Sequence, residues 1–259
     1  MKKLLLLFLA STLIFTACKK KKKEDEQQLE PKQEQKGFAI NYTATWCSSC
    51  GSWGAPIIHQ YSDDATEGAI ICAHFNDPMS SNLSNVFEQD RTTNNGIPGF
   101  WVGDNKTSSN GAMTSLLGQG DAMAGVDYKY EIKDGKIEVD AKVKFFEAGQ
   151  GDYYLSVLVL EDGIPGGTSA PGNYQQAGTN DPNYTHDFVL RASAHAGLPY
   201  GESITTNPSA DDEVDKSYSI DLDSSWDTDN VYAVCIVWKK DTSNGRPYYK
   251  YINALKKKN

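Results

Sequence analysis

The chain has 259 residues, of which 25 are basic and 34 acidic, giving a formal net charge of −9 at pH 7. An acidic balance of this size disfavours nucleic acid as a partner, because binding a phosphate backbone needs a basic surface. The chain has five cysteines. Their spacing does not resemble that of a small scaffold held together by disulfides.

The amino terminus reads as an export signal. Lysines at positions 2 and 3 precede an apolar run of about a dozen residues, and small residues follow before Cys18. The run is shorter than the roughly 20 residues that a membrane span needs, so an uncleaved anchor is the less favoured alternative. Thr16-Ala17-Cys18 resembles a bacterial lipobox, with Phe15 where leucine is usual. We predict a signal peptide over residues 1–17 and a lipid on the sulfur of Cys18.

Residues 18–36 predict a disordered tether. They combine a lysine run with acids and glutamines and contain almost no apolar side chains, so they cannot form a core. Lys19 stands where many lipoproteins of the inner membrane carry aspartate, which favours the outer membrane, on its periplasmic or cell-surface face. The membrane is thus one expected partner, through the lipid on Cys18.

The segment 37–120 alternates between predicted strands and helices. A strand over FAINYTATW leads into a helix that starts near Cys47 and is interrupted by Pro56. An apolar strand, GAIICAHFND, and an amphipathic helix, SSNLSNVFEQDRT, follow. A short strand after Pro98 and a last helix or turn end the segment. Strand, Cys-x-x-Cys, helix, strand, helix and proline in this order predict an α/β domain.

This segment resembles a thioredoxin-like domain. The resemblance rests on Trp46-Cys47-Ser48-Ser49-Cys50, on Pro56 and on Gly96-Ile97-Pro98. It implies that the Ile97–Pro98 bond is cis and that Pro98 flanks Cys47. One departure is Asn41, which occupies the position where thioredoxins usually carry a buried carboxylate that helps to deprotonate the second cysteine.

The chemistry that the resemblance implies is thiol–disulfide exchange, with no cofactor and no metal. Cys47 as a thiolate attacks the disulfide of a protein partner, and Cys50 resolves the mixed disulfide. Trp46 shields the sulfur, and the backbone beside Pro98 holds the partner strand. The alternative is that Cys47 and Cys50 form a structural disulfide in a surface lipoprotein that binds protein or glycan without catalysis.

Other candidate ligands are weaker. Cys72 and His74 share a face of one strand and could in principle form a zinc site with the Cys47–Cys50 pair. A cysteine in a central strand is more often a small buried apolar group. The acidic run Asp211-Asp212-Glu213 lacks the spacing and the glycine of a calcium loop, so we expect no metal there.

The segment 126–256 predicts an all-β domain. Seven short runs of alternating residues are separated by turn signals, among them Asp134-Gly135, and a long loop covers residues 163–184. This pattern favours a β-sandwich of immunoglobulin-like type. Cys235 lies in the middle of a strand and reads as a core residue.

Both halves together resemble the outer-membrane-protein-28 family of lipoproteins from Bacteroides-like bacteria. The residues that carry this resemblance are the lipobox, the Cys-x-x-Cys segment, His186-Asp187-Phe188-Val189-Leu190-Arg191 and the end from Trp238 to Ala254. The resemblance implies a location and an architecture rather than an activity.

Overall fold

The computed structural model describes residues 28–93, 96–243 and 246–257, which are mostly β-structure with few helices. The predicted signal peptide and Cys18 lie outside the described residues. The helices of the described part are α1 Ala55–Asp64, α2 Asn82–Asp90 and α3 Ala112–Leu117. Within this part of the chain, no helix combines the length and the apolar character that a membrane crossing requires.

The strands of the described residues follow in chain order. They are β1 Phe38–Thr43, β2 Ala69–His74, β3 Gly99–Val102, β4 Asn105–Lys106, β5 Ala124–Lys133, β6 Lys136–Phe145, β7 Asp152–Glu161, β8 Ile164–Pro165, β9 Thr185–His186, β10 Val189–Ser193, β11 Glu202–Thr206, β12 Glu213–Asp221, β13 Val231–Ser243 and β14 Arg246–Lys256.

One large mixed sheet has the order β14-β13-β7-β10-β2-β1-β3-β4, with β11 paired to β7. Strand β2 is parallel to both β1 and β10, and the other pairs along the sheet are antiparallel. Every residue of β1 and β2 is buried, as expected for strands covered on both faces. The sequence predicts separate domains over 37–120 and 126–256, and this sheet contains strands from both segments.

A smaller sheet of three strands, β12-β6-β5, packs against the large one. Its β5–β6 hairpin turns at Asp134-Gly135, where both residues have positive φ (52° and 74°), so the turn predicted from this dipeptide is confirmed. Residues of β6 alternate between buried and more exposed positions, because one face lies on the core.

A single core joins the first strands to the last ones. Trp238 on β13 is fully buried and packs edge-to-face against Phe38 on β1, with ring centroids 5.0 Å apart. Its indole N–H donates to the hydroxyl of Ser156 on β7 at 2.9 Å. Phe87 of α2 and Tyr251 of β14 also contact the indole ring. Removing this ring therefore affects packing between both halves of the chain.

We expect Trp238→Ala to lower the free energy of unfolding by about 3–5 kcal/mol, the usual cost of a large cavity in a core. Because the core is shared, the variant should unfold in one transition at a lower denaturant concentration. Leu198→Ala is the control, since Leu198 is 55% exposed and its loss should change stability by about 0.5 kcal/mol or less. Two separate transitions, one for each half, would contradict a shared core.

Candidate functional site

The Cys-x-x-Cys segment lies where β1 gives way to a helix. The N–H of Cys47 donates to the carbonyl of Ala44 at 3.1 Å, and helical residues begin at Ser48. The chain then makes a π-helical turn over Cys50–Gly54 before α1. Pro56 stands at the start of α1, where its missing N–H is not needed. The interruption predicted at Pro56 thus takes the form of a wide helical turn just before it.

Cys47 and Cys50 form a disulfide, with their Cα atoms 5.2 Å apart. The backbone N–H of Cys50 also points at Sγ of Cys47, at 3.2 Å. Both cysteines are buried, and only 7% of Cys47 is exposed. The first sulfur therefore lies at a helix start, with one backbone donor directed at it, a setting that favours a thiolate after reduction.

The predicted partners Trp46 and Pro98 both lie beside this disulfide. The Ile97–Pro98 peptide bond is cis, and the carbonyl oxygen of Ile97 is 3.7 Å from Sγ of Cys47. The ring of Pro98 is so close to Gly54 that a Cβ there would approach it to 3.0 Å. Trp46 is 57% exposed, and its indole N–H donates to the carbonyl of Phe75 at 3.2 Å. One hydrogen bond therefore holds the indole to the residue that follows β2, and the role of Trp46 in shielding the sulfur of Cys47 stays a prediction.

The loop over residues 163–184 covers the other side of the disulfide. The side-chain amide of the buried Gln176 donates to the carbonyls of Ala44 at 3.2 Å and Cys47 at 3.1 Å. The N–H of Ala177 donates to the carbonyl of Thr45 at 2.7 Å. Gly178 has φ +83°, and a Cβ there would lie 1.9 Å from the carbonyl oxygen of Ser48. Only glycine, which has no Cβ, can occupy this position.

No pattern in the sequence indicates this contact. The loop is predicted from its glycines, prolines and amides, and its partner lies in a segment 129 residues earlier. Gln176 has no charge or metal-binding group that would mark it as functional, so only the fold reveals its role.

A small polar cavity lies behind Cys50. Its wall combines side chains from β1, β2, the helical segment and the end of the 163–184 loop. They are Asn41, Thr43, Cys50, Ala55, Ile58, His59, Cys72, His74, Tyr184, His186 and Asp187. The volume of the cavity is about 10 Å³, which is near the lower limit for one ordered water molecule.

A buried ion-pair-like contact lies at the edge of this cavity. Nδ1 of His74 is 2.7 Å from Oδ2 of Asp77, and both side chains are almost fully buried. Burial alone raises the pKa of Asp77, but hydrogen bonds from His74 and from the N–H groups of Thr45 and Met79 outweigh it and lower the pKa below its ordinary value. Asp77 is therefore a carboxylate at neutral pH.

His186 is a second buried histidine, with its ring centroid 5.5 Å from that of His74. Its Nε2 lies 2.8 Å from the carbonyl oxygen of Tyr174, so Nε2 carries the proton and donates. Burial and then the proximity of His74 lower the pKa of His186 to about 4. His186 is neutral over the physiological range.

The other two cysteines of the described residues are not paired. Cys72 and Cys235 are buried thiols, and burial raises the pKa of each well above its usual range. Neither has the properties of a reactive cysteine. Cys72 and His74 share the cavity wall, yet within the described ranges no group of three or more potential ligands is arranged to hold a metal ion.

The comparisons place the chain in a family. The Omp28 outer membrane protein family model matches residues 103–247, more than half of the chain. The chain belongs to the Omp28 family. The match begins after the Cys-x-x-Cys segment, so it covers the 163–184 loop, His186 and Asp187 but not Cys47 or Cys50.

Solved structures add a likeness in fold to this Omp28 family member. HBP35 of Porphyromonas gingivalis is 20% identical, with a TM-score of 0.67 over 87% of this chain and 75% of that chain. A domain of the outer membrane lipoprotein Omp28 from the same organism is 20% identical with a TM-score of 0.30, over 51% of this chain and 97% of that chain. No curated protein matches the chain.

We expect Gln176→Ala to lower the free energy of unfolding by about 1–3 kcal/mol, because it removes a buried amide donor that bridges the carbonyls of Ala44 and Cys47 and leaves them only backbone donors. Hydrogen exchange of the backbone amides over residues 47–51 should become faster. Gln175→Ala is the matched control, since its amide donates only within its own loop, to Thr168 and Ala170. Equal effects of the two substitutions would contradict the bridging role of Gln176.

The lowered pKa of His186 predicts a loss of stability in acid. The unfolded chain binds a proton at this histidine near pH 6.5, whereas the folded protein resists it down to about pH 4. Stability should therefore fall as pH drops from about 6.5 to about 4, by about 3 kcal/mol for this group. His186→Gln should flatten this part of the pH profile of the unfolding free energy.

His59→Gln serves as the control for that profile, because the His59 side chain is 44% exposed and substitution there should leave the slope in place. Denaturant titrations at half-unit pH steps measure both variants. A profile for His186→Gln with the same slope as that of the parent protein would contradict the prediction.

Proposed function

We propose that this Omp28 family member is a lipid-anchored thiol–disulfide exchange protein of the outer membrane, in which residues 37–120 act as a thioredoxin-like unit. One observation carries the proposal. The Cys47–Cys50 disulfide lies at a helix start, with the carbonyl of Ile97, in the cis Ile97–Pro98 bond, 3.7 Å from Sγ of Cys47.

The reaction proceeds in two exchanges. In the dithiol form, Cys47 as a thiolate attacks a disulfide of the partner, forms a mixed disulfide and releases one partner thiolate. Cys50 then loses its proton and attacks Sγ of Cys47, which releases the second partner thiolate and restores the Cys47–Cys50 disulfide. Two electrons pass to the partner, and an external dithiol must supply them again. Run in reverse, the same steps oxidise a partner dithiol.

The surface around Cys47 suits a polypeptide partner. Trp46 and Trp53 are large side chains with 57% and 43% exposure, and Ile97 packs against the disulfide. An extended segment laid beside residues 96–98 would find both apolar contacts and main-chain hydrogen-bonding groups. The partner is therefore a protein with an accessible disulfide or dithiol.

The predicted signal peptide and the lipid on Cys18 give this protein its place in the envelope. Lipidation of Cys18 would tether the folded part to the membrane surface through the residues before Glu30. The disordered tether predicted over residues 18–36 is wrong for residues 30–36, because the N–H of Glu30 donates to Asp127 and that of Lys36 to Asn253. Membership of an outer membrane protein family supports the outer membrane as that location. The face of the membrane on which the protein lies is a further prediction for protease-accessibility measurements on intact cells.

A structural role for the disulfide is the second candidate, and the cover over Cys47 favours it. Only 7% of Cys47 is exposed, and Gln176 with Ala177 holds the preceding turn from the far side. A disulfide with this role resists reduction and stabilises the fold. The protein would then bind its partners without electron transfer.

Cysteine variants separate the two candidates. In the pre-reduced protein, Cys47→Ser should slow reduction of glutathione disulfide by at least about 100-fold, because the attacking thiolate is lost. Cys50→Ser should instead accumulate a mixed disulfide at Cys47, which mass spectrometry detects as one added glutathione.

The control for these variants is Cys235→Ala, since Cys235 is buried on β13 away from the disulfide. It should keep the exchange rate of the parent protein. Under the structural alternative, Cys47→Ser would lower the unfolding free energy and no variant would form a mixed disulfide.

A further inference from the structure

Resolution of a mixed disulfide requires Cys50 to lose a proton in a buried place. Cys50 is 2% exposed, so bulk water does not take this proton directly. No carboxylate lies on β1, from which Asn41 and Thr43 line the cavity behind Cys50. The proton must therefore pass to another group in the cavity wall.

One wall of this cavity carries an unsatisfied acceptor. Oδ1 of Asn41 has no hydrogen-bond partner among the residues that the structure describes, and Asn41 is only 2% exposed. Its amide nitrogen is 4.0 Å from Sγ of Cys72, which leaves the oxygen as an acceptor beside Cys50. A buried acceptor without a donor is costly, and a thiol S–H or a water molecule in the cavity would satisfy it.

His74 is the residue of the cavity wall that is best suited to accept a proton. Nδ1 of His74 faces the Asp77 carboxylate at 2.7 Å, so in the neutral imidazole Nδ1 carries the proton and Nε2 has the lone pair. His74 is part of the cavity wall whereas Asp77 is not. The edge of the ring that reaches the cavity is therefore the one away from Asp77, which bears Nε2.

The other polar groups at the cavity are less suited. His186 donates from Nε2 to Tyr174 and resists a second proton. Tyr184 and Cys72 are protonated at neutral pH, because burial raises the pKa of each. Asp187 is 20% exposed and lies 3.8 Å from the exposed His59. These two residues lie between the cavity and solvent.

We propose that His74, oriented by Asp77, accepts the proton of Cys50 during resolution of the mixed disulfide. This inference rests on the exchange activity proposed above. The S–H proton of Cys50 moves to Nε2 of His74, directly or through one water molecule. Sγ of Cys50 attacks Sγ of Cys47, and the bond from Cys47 to the partner sulfur breaks. The partner leaves as a thiolate, and the proton of the imidazolium beside the Asp77 carboxylate leaves the cavity past Asp187 and His59, which are 20% and 44% exposed.

Separate measurement of the two exchanges tests this role. The protein is reduced with dithiothreitol, freed of it and mixed with glutathione disulfide. Quenched samples then give the rate of mixed-disulfide formation at Cys47 and the rate of its resolution. His74→Gln keeps an amide that can donate to Asp77 but cannot accept a proton. It should slow resolution by on the order of 100-fold, with formation unchanged.

The pH profile distinguishes a proton acceptor from a packing residue. In the parent protein, resolution should rise by less than tenfold per pH unit, because an imidazole takes the proton of Cys50. In His74→Gln it should rise tenfold per pH unit, because only ionised Cys50 then reacts. Asp77→Asn is the second variant, which should slow resolution less than His74→Gln does. His195→Gln, far from the cavity, should keep both rates.

Three results test the role of His74 as the proton acceptor. Slowed resolution with a changed pH profile supports His74 as the acceptor. Unchanged resolution in both His74→Gln and Asp77→Asn, with mixed disulfide still forming, overturns this role and leaves the exchange function in place. If Cys50→Ser with His74 intact forms no mixed disulfide at all, the exchange function fails and this inference fails with it.

Discussion

The alignment of β10 with β2 joins the two halves of this protein next to the cavity behind Cys50. The N–H of Cys72 on β2 donates to the carbonyl of Phe188 at 2.7 Å, and Val189 of β10 lies opposite Cys72 in a parallel pair. Phe188 takes a left-handed conformation, with φ 61°, and Asp162 accepts its N–H at 2.7 Å. This conformation costs about 1–3 kcal/mol, and it aligns β10 with β2. His186 and Asp187 then reach the cavity behind Cys50.

The sequence predicted local elements well and long-range pairing poorly. Alternating and apolar patterns located β1, β2, β5, β6 and β7, and Asp134-Gly135 located a hairpin, because these depend on neighbouring residues. The insertion of β10 next to β2 has no local signature, since a parallel pair between distant segments depends on the whole fold. For this reason, two separate domains were the simplest prediction from patterns alone.

The site shows the same division. Cys47, Cys50 and Pro98 were predictable because their residue types and spacing are specific. The roles of Gln176, His74 and His186 were not predictable. Amides and histidines occur in many environments, and their roles depend on burial and on their hydrogen-bond partners. Arg91 is a similar case: its fully buried guanidinium contacts Asp104 at 2.6 Å and the carbonyl of Tyr249 at 2.7 Å. A buried cation cannot be expected from sequence, since it needs partners from distant elements.

The cover that Gln176 provides has a consequence for the order in which the protein acquires its structure. The amide of Gln176 and the carbonyl of Cys47 are separated by 129 residues, and contacts of such range form late. During synthesis, the cysteine pair is made long before residue 176. Oxidants and reductants thus meet an open cysteine pair on the incomplete chain and an enclosed pair on the finished molecule.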